Sequence, residues 1–230
     1  MKYKRLFSRE KSLVKNPRVL FYVMAAIGML VKQATLFGTP PPAETATTSA
    51  QAQRFVADFG NRAISALTDP KISTSVRQER FSILLEEGFD VETIGRFVLA
   101  RHWHRLTDIQ KKRFLDLFRR TITINYAARF KEFVGLEMHV KSAEYTAQGG
   151  INVKTIITPP RGGQVMVVWK TFPASGSNKF KVVDVTLDNV SMSITQRSEF
   201  AHSIQKLGDS MDAFLTDLEQ RVQRTHQKTS

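Results

Sequence analysis

The sequence contains no cysteine, which excludes a disulfide scaffold and any thiolate metal site. It also lacks a Gly-x-Ser-x-Gly elbow, a glycine-rich phosphate loop and a His-Glu-x-x-His motif; Gly162-Gly163 alone is a turn signal. Histidine is scarce. His102 and His104 flank Trp103, but positions two apart on a helix do not share a face, so they do not chelate one metal from a regular helix. His139, His202 and His226 have no carboxylate or second histidine at ligand spacing, and Glu86-Glu87 and Asp116 read as solvated helix faces rather than an acid/base pair. The residues therefore offer no catalytic group with a partner, no metal site and no cofactor motif, and the expectation is a protein that is not an enzyme.

Acids are also in short supply, since 21 Asp and Glu face 34 Lys and Arg for a formal net charge of +13. The surplus is uneven. Residues 1–32 carry eight bases (Lys2, Lys4, Arg5, Arg9, Lys11, Lys15, Arg18, Lys32) against Glu10, or +7, which leaves +6 for everything after them. That remainder is a moderately basic surface, not a concentrated nucleic-acid patch. Arg119, Arg120, Arg129 and Lys131 do share a segment with several Phe residues, but those aromatics fall in an apolar stripe, whereas base-stacking rings stand exposed among charges. No nucleic-acid partner is expected.

No apolar run is long enough for an unstrained membrane span. The longest, Val19 to Val31, follows the basic stretch and has 13 residues. At 1.5 Å each these cover about 20 Å of a hydrocarbon core about 30 Å thick. A basic segment leading into an apolar one is the order of an export signal, so residues 1–37 read as a signal peptide or signal anchor. An Ala-x-Ala occurs only downstream, at Ala50 to Ala52, and cleavage is left open. The charge bias places the following domain beyond the inner membrane, with residues 38–51, rich in Pro, Thr and Ala, as an extended linker.

From Ala52 the apolar residues Phe55, Val56, Phe59, Ala63, Ile64 and Leu67 recur at helical spacing, and Asp69-Pro70 ends the pattern. Further helices are expected over 75–87 and 90–102. Thr107 and Gln110 form a capping-box signature that opens a long helix to Val134, closed by Gly135. The period then changes to alternation, with strands expected at 137–145, 151–158, 164–172 and 179–188 between turn signals. The runs Gln164 to Trp169 and Val182-Val183 are apolar at adjacent positions, so both sheet faces are expected to be covered. Helices over 195–207 and 209–222 close the chain. The whole reads as an α+β domain over 52–225, with helices packed on a curved, mainly antiparallel four-stranded sheet and an apolar cavity between the layers.

Two segments carry a resemblance. Gly95-Arg-Phe-Val-Leu-Ala-Arg-His-Trp103 followed by Leu106-Thr-Asp-Ile-Gln-Lys-Lys-Arg-Phe-Leu-Asp-Leu-Phe118 is similar to the central segment of the MlaC (toluene-tolerance auxiliary) family, which runs into a helix bearing a tyrosine, here Tyr126. Asp188-Asn-Val-Ser-Met-Ser-Ile-Thr-Gln-Arg-Ser-Glu-Phe200 resembles its carboxyl-terminal signature. The similarity spans about residues 52–222, and Ala100 stands where many relatives have Gly. The resemblance implies a periplasmic lipid carrier. Its ligand would be a phospholipid or, in one branch, a hopanoid, and its partners an inner-membrane ABC transporter complex and an outer-membrane lipid-transfer complex. A membrane-tethered adaptor with no cargo is the alternative. The expected pocket is lined by Phe114, Phe118, Ile122 and Tyr126 from the long helix, with Val167, Trp169, Val183, Val185 and Met192 opposite. For each of these residues ordinary core packing is the competing reading.

Overall fold

The computed structural model describes residues 43–160, 162–174 and 179–229. The expected signal peptide or signal anchor and the first part of the expected linker lie outside them.

Helix α1 (Ala43–Leu67) begins nine residues before the expected start at Ala52. Residues 43–51 contain neither Pro nor Gly and are rich in Ala, so nothing in them opposes helix, and the extended-linker reading does not hold there. Arg77 is buried after the break at Asp69-Pro70, where its guanidinium donates to the carbonyls of Leu67 (2.8 Å) and Asp69 (2.6 Å) and holds the turn. Helix α2 (Thr74–Gly88) is capped by Ser73, and α3 (Val91–Leu99) by Asp90, whose carboxylate accepts from Thr93 N–H at 2.9 Å.

The expected third helix stops three residues short, because Ala100 adopts φ 50° and ψ −123° and starts a 3₁₀ segment, Ala100–Arg105. That conformation disfavours any Cβ and typically costs about 1–3 kcal/mol. Ala100→Gly is therefore expected to raise stability by about 1 kcal/mol, measured as a higher urea midpoint at unchanged m-value. The segment turns His102 inward, 4 % exposed, and leaves His104 outside. Burial, with Arg101 and Arg105 on either side, lowers the His102 pKa below its ordinary value.

Helix α4 (Asp108–Tyr126) opens on the expected capping box, with Thr107 N–H donating to Gln110 Oε1 and Gln110 N–H to Thr107 Oγ1. It does not run regularly to Val134. After Tyr126 the chain tightens into a second 3₁₀ segment, Ala127–Phe133. The preceding Thr121-Ile-Thr-Ile124 is β-branched throughout and crowds the helix, and the Thr121 hydroxyl donates back to the Leu117 carbonyl at 2.7 Å.

Strands β1 (Glu137–Tyr145), β2 (Ile151–Thr158), β3 (Val165–Pro173) and β4 (Phe180–Leu187) form the expected antiparallel meander. A fifth, two-residue strand, β5 (Val190–Ser191), returns through Asp188-Asn189, both at positive φ as a two-residue hairpin demands. Helix α5 (Met192–Lys206) follows directly, capped by Ser191, and α6 (Met211–Thr229) ends the described chain.

The buried residues fall into two regions. One is all-helical: Phe114, Leu117 and Phe118 of α4 pack with Ile94 and Val98 of α3, Trp103, Phe200 and Ile204 of α5, and Phe214, Leu215 and Leu218 of α6. The other lies between α1 and α2 and one face of the sheet.

Candidate functional site

Register defines the face that the helices cover. Ile151, Thr171 and Val182 form one cross-strand row; Val153, Trp169 and Val185 the next; Thr155, Val167 and Leu187 the third. The rows are tightly buried at Ile151, Val153, Thr155, Val167, Thr171 and Val182, but Trp169, Val185 and Leu187 remain half-buried. A bulge opposite Lys170/Thr171 pairs Thr171 with Val182 and Lys170 with Asp184. Val183 is thus the extra residue of the bulge and belongs to none of these rows.

Helix α1 brings aromatic rings onto this face. Phe55 and Phe59 stack at 6.0 Å, Phe55 meets Phe180 at 6.1 Å, and Phe59 meets Trp169 edge-on at 6.4 Å and Phe89 at 5.9 Å. Two glycines permit the close approach. A Cβ on Gly60 would stand 2.1 Å from Met138 Cε of β1, and one on Gly88 would stand 2.3 Å from the Phe59 ring. A fork from Arg62 to Glu87 (3.0 and 2.7 Å) spans α1 and α2 at the surface and holds the Glu87 carboxyl below its usual range. The cluster is completed by Leu67, Leu84, Phe81 of α2 and Phe130 of the second 3₁₀ segment. Phe55, Phe81, Phe89, Phe130 and Trp169 are half-buried, although they converge on the space between the layers.

The nine expected pocket residues do not form one wall. Phe114 and Phe118 are 0 % and 1 % exposed and belong to the helical cluster, where Phe114 packs on Trp103, Phe118, Phe200 and Phe214. Ile122 packs against the same cluster. The ring of Tyr126 is partly exposed, while its hydroxyl is raised above the ordinary phenol pKa by loss of hydration and by Glu199 of α5. The expectation that these four face Trp169 is therefore corrected. A 3.6-residue stripe identifies the inward face of α4 but not which layer receives it, and the receiving layer at Phe114 and Phe118 is α3, α5 and α6. Val167, Trp169 and Val185 do share the sheet's covered face, and Met192 is half-buried at the start of α5. The indole N–H of Trp169 donates to Thr155 Oγ1 at 3.0 Å, so its polar end is satisfied within the sheet. Phe55, Phe59, Phe89 and Phe130, absent from the expected set, bring aromatic surface to the same space from outside the sheet, and Phe180 adds a ring from β4 itself.

Among the described residues, surface clefts include one of about 430 Å³ and one of about 330 Å³. The first is lined by Glu86, Asp90, Glu92, Arg119 and Lys181 beside Phe89 and Phe172, and the second by Gln196, Glu199, Arg221 and Arg224 beside Ile124, Phe200, Leu218 and Val222. The charged rims suit water, and apolar side chains lie between them. Among the described residues no group of three potential metal ligands is assembled, and no helix is long and apolar enough to cross a membrane.

The fold is shared with a solved structure, the phospholipid-binding protein from Ralstonia solanacearum in complex with a phospholipid. The TM-score is 0.65 at 19% identity, over 77% of this chain and 99% of that one. No curated protein sequence matches the chain significantly. The profile of the family described as MlaC protein matches residues 57–220, from the middle of α1 to the body of α6, and the chain belongs to that family.

Proposed function

We propose that this domain is a lipid carrier that shelters hydrocarbon chains between α1, α2 and the covered face of the sheet. The observation that carries the reading is the interlayer cluster itself. Phe55, Phe81, Phe130 and Trp169 converge there from four different elements and Phe89 from the α2–α3 junction, yet each keeps part of its surface accessible. A structural core is normally closed at its centre, as the helical cluster is at Phe114 and Phe118, although Phe81 and Phe89 border that cluster as well. A shared fold with a protein solved with phospholipid supports the same reading.

Moving a lipid through water exposes about 0.8 kcal/mol per CH₂, so two acyl chains with roughly 30 such groups face a barrier on the order of 20 kcal/mol. A protein that replaces water around the chains with Phe, Val and Trp surface lowers that barrier without a covalent step, and needs no nucleophile, metal or cofactor. The export segment at 1–37 sets the carrier in the periplasm, between an inner-membrane ABC transporter complex and an outer-membrane lipid-transfer complex. The cargo is a phospholipid or a hopanoid.

The test is native mass spectrometry with lipid extraction on the chain expressed with its export segment and purified without detergent. One phospholipid or hopanoid per protein is the expected result. Repeated absence of lipid would move the assignment to a membrane-tethered adaptor.

A further inference from the structure

The interlayer cluster has one wall built differently from the others. Its floor is a paired strand, and α1 and α2 are regular helices closed against each other by Gly88 and the Arg62–Glu87 fork. Its fourth side is the 3₁₀ segment Ala127–Phe133, which packs on α2 and α1. Hydrogen bonds of this kind are poorer than those of an α-helix, and seven residues exceed the three or four that a 3₁₀ turn usually reaches at the end of a helix. At its far end Val134 leaves helical geometry at ψ 126°, and Gly135 sits at φ +79° beside Pro160. At the first end, α4 stays anchored by Phe114 and Phe118, so a movement beginning at Tyr126 leaves the helical core intact.

The contact that closes this side is aromatic. Phe130 lies 5.9 Å from Phe81 of α2 and 6.3 Å from Phe133, and it touches the same cluster as Phe59 and Trp169. Beyond it Val134 leaves apolar surface exposed, at 46 %.

We propose that the gap between Phe81 of α2 and Phe130 of the 3₁₀ segment is the portal through which a hydrocarbon chain reaches the interlayer cluster, with Phe130 as the side chain that closes it. The proposal rests on the carrier reading. It assigns the residues a kinetic role: chains slide inward along Val134 and Phe133, displace Phe130 by a hinge movement between Tyr126 and Gly135, and come to lie against Phe59 and Trp169.

The absence of native cysteine makes the test clean. In the double variant Phe81→Cys with Phe130→Cys, oxidation should join α2 to the 3₁₀ segment, a bond confirmed by mass. Transfer is followed from vesicles of phosphatidylethanolamine and phosphatidylglycerol carrying a trace of acyl-labelled phosphatidylethanolamine. The oxidised protein is expected to take up and release label about tenfold more slowly than its reduced form, with full recovery on reduction. Phe130→Ala, which removes the closing ring without a cross-link, is expected to exchange severalfold faster than wild type. A confirmed disulfide that leaves transfer unchanged overturns the portal but not the carrier. Cysteine is shorter than phenylalanine, so where no direct disulfide forms the pair is joined by a short reducible bis-methanethiosulfonate linker and the same comparison decides the portal. Absence of label from wild type and every variant, with labelled phospholipid and labelled hopanoid tested in turn, overturns the carrier reading and the portal with it.

Discussion

Phe114→Ala is expected to destabilise the domain by about 3–5 kcal/mol and to leave its bound lipid in place. The magnitude follows from position. Phe114 is fully buried, and four aromatic rings surround it: Trp103 at 6.3 Å, Phe118 at 5.5 Å, Phe200 at 6.0 Å and Phe214 at 6.5 Å. These partners come from the first 3₁₀ segment and from α4, α5 and α6, so the side chain is where separate helices agree on one packing. Gly95 of α3 approaches as well, since a Cβ there would stand 3.3 Å from Phe114 Cε1. Backbone this close on one side and rings on the others leave little freedom to collapse into the space vacated, which places the loss toward the upper end of the range. Equilibrium urea unfolding measures the stability, and native mass spectrometry of the same preparation measures the lipid. Loss of lipid from a variant that remains folded would show that the helical cluster, not the interlayer cluster, holds the cargo.

Local chemistry was the most legible part of the fold. The Thr107/Gln110 capping box, the Asp90 cap, the helix break at Asp69-Pro70 and the strand boundaries between glycine turns depend on residues a few positions apart, and each was found where sequence placed it. What failed involved choices that local pattern does not encode. Ala100 reads as an ordinary helix former, yet the contact of Trp103 with Phe114 requires the chain to turn there at φ 50°. The sequence reads as one regular helix to Val134, but the change to 3₁₀ geometry after Tyr126 separates Phe114 and Phe118, which face helices, from Phe130, which faces α2 and the interlayer space. Val183 looked equivalent to Val185 until the bulge shifted the register between them. On the helical side of the site, Phe55 and Phe59 were visible as an inward face, but not their destination. The sequence signal for it is the pair of small residues, Gly60 and Gly88, since glycine on the inward face of a helix lets another backbone or ring approach.

Trp169→Ala is expected to remove bound lipid while costing stability on the same scale as Phe114→Ala, about 3–5 kcal/mol. Trp169 stands at the centre of the covered sheet face, between Val153 and Val185 in register, with the Phe59 ring edge-on at 6.4 Å. Truncation leaves a gap under α1 and removes the largest apolar surface that the sheet offers to the interlayer space. Its polar end is separable from its ring. The Thr155 hydroxyl accepts the indole N–H and donates to the Val167 carbonyl at 3.4 Å, so Trp169→Phe deletes one hydrogen bond without stranding a buried donor, a loss of about 1 kcal/mol. Trp169→Phe should therefore keep lipid, because hydrocarbon chains need the apolar ring and not the N–H. Three variants thus separate stability from cargo: two with similar destabilisation and opposite lipid content, and a third with little of either loss. If Trp169→Ala and Phe114→Ala lose lipid in proportion to their loss of stability, occupancy only reports folding, and the interlayer cluster has no special claim to the cargo. If Trp169→Ala alone is empty, the sheet face beneath α1 is the surface on which the chains lie.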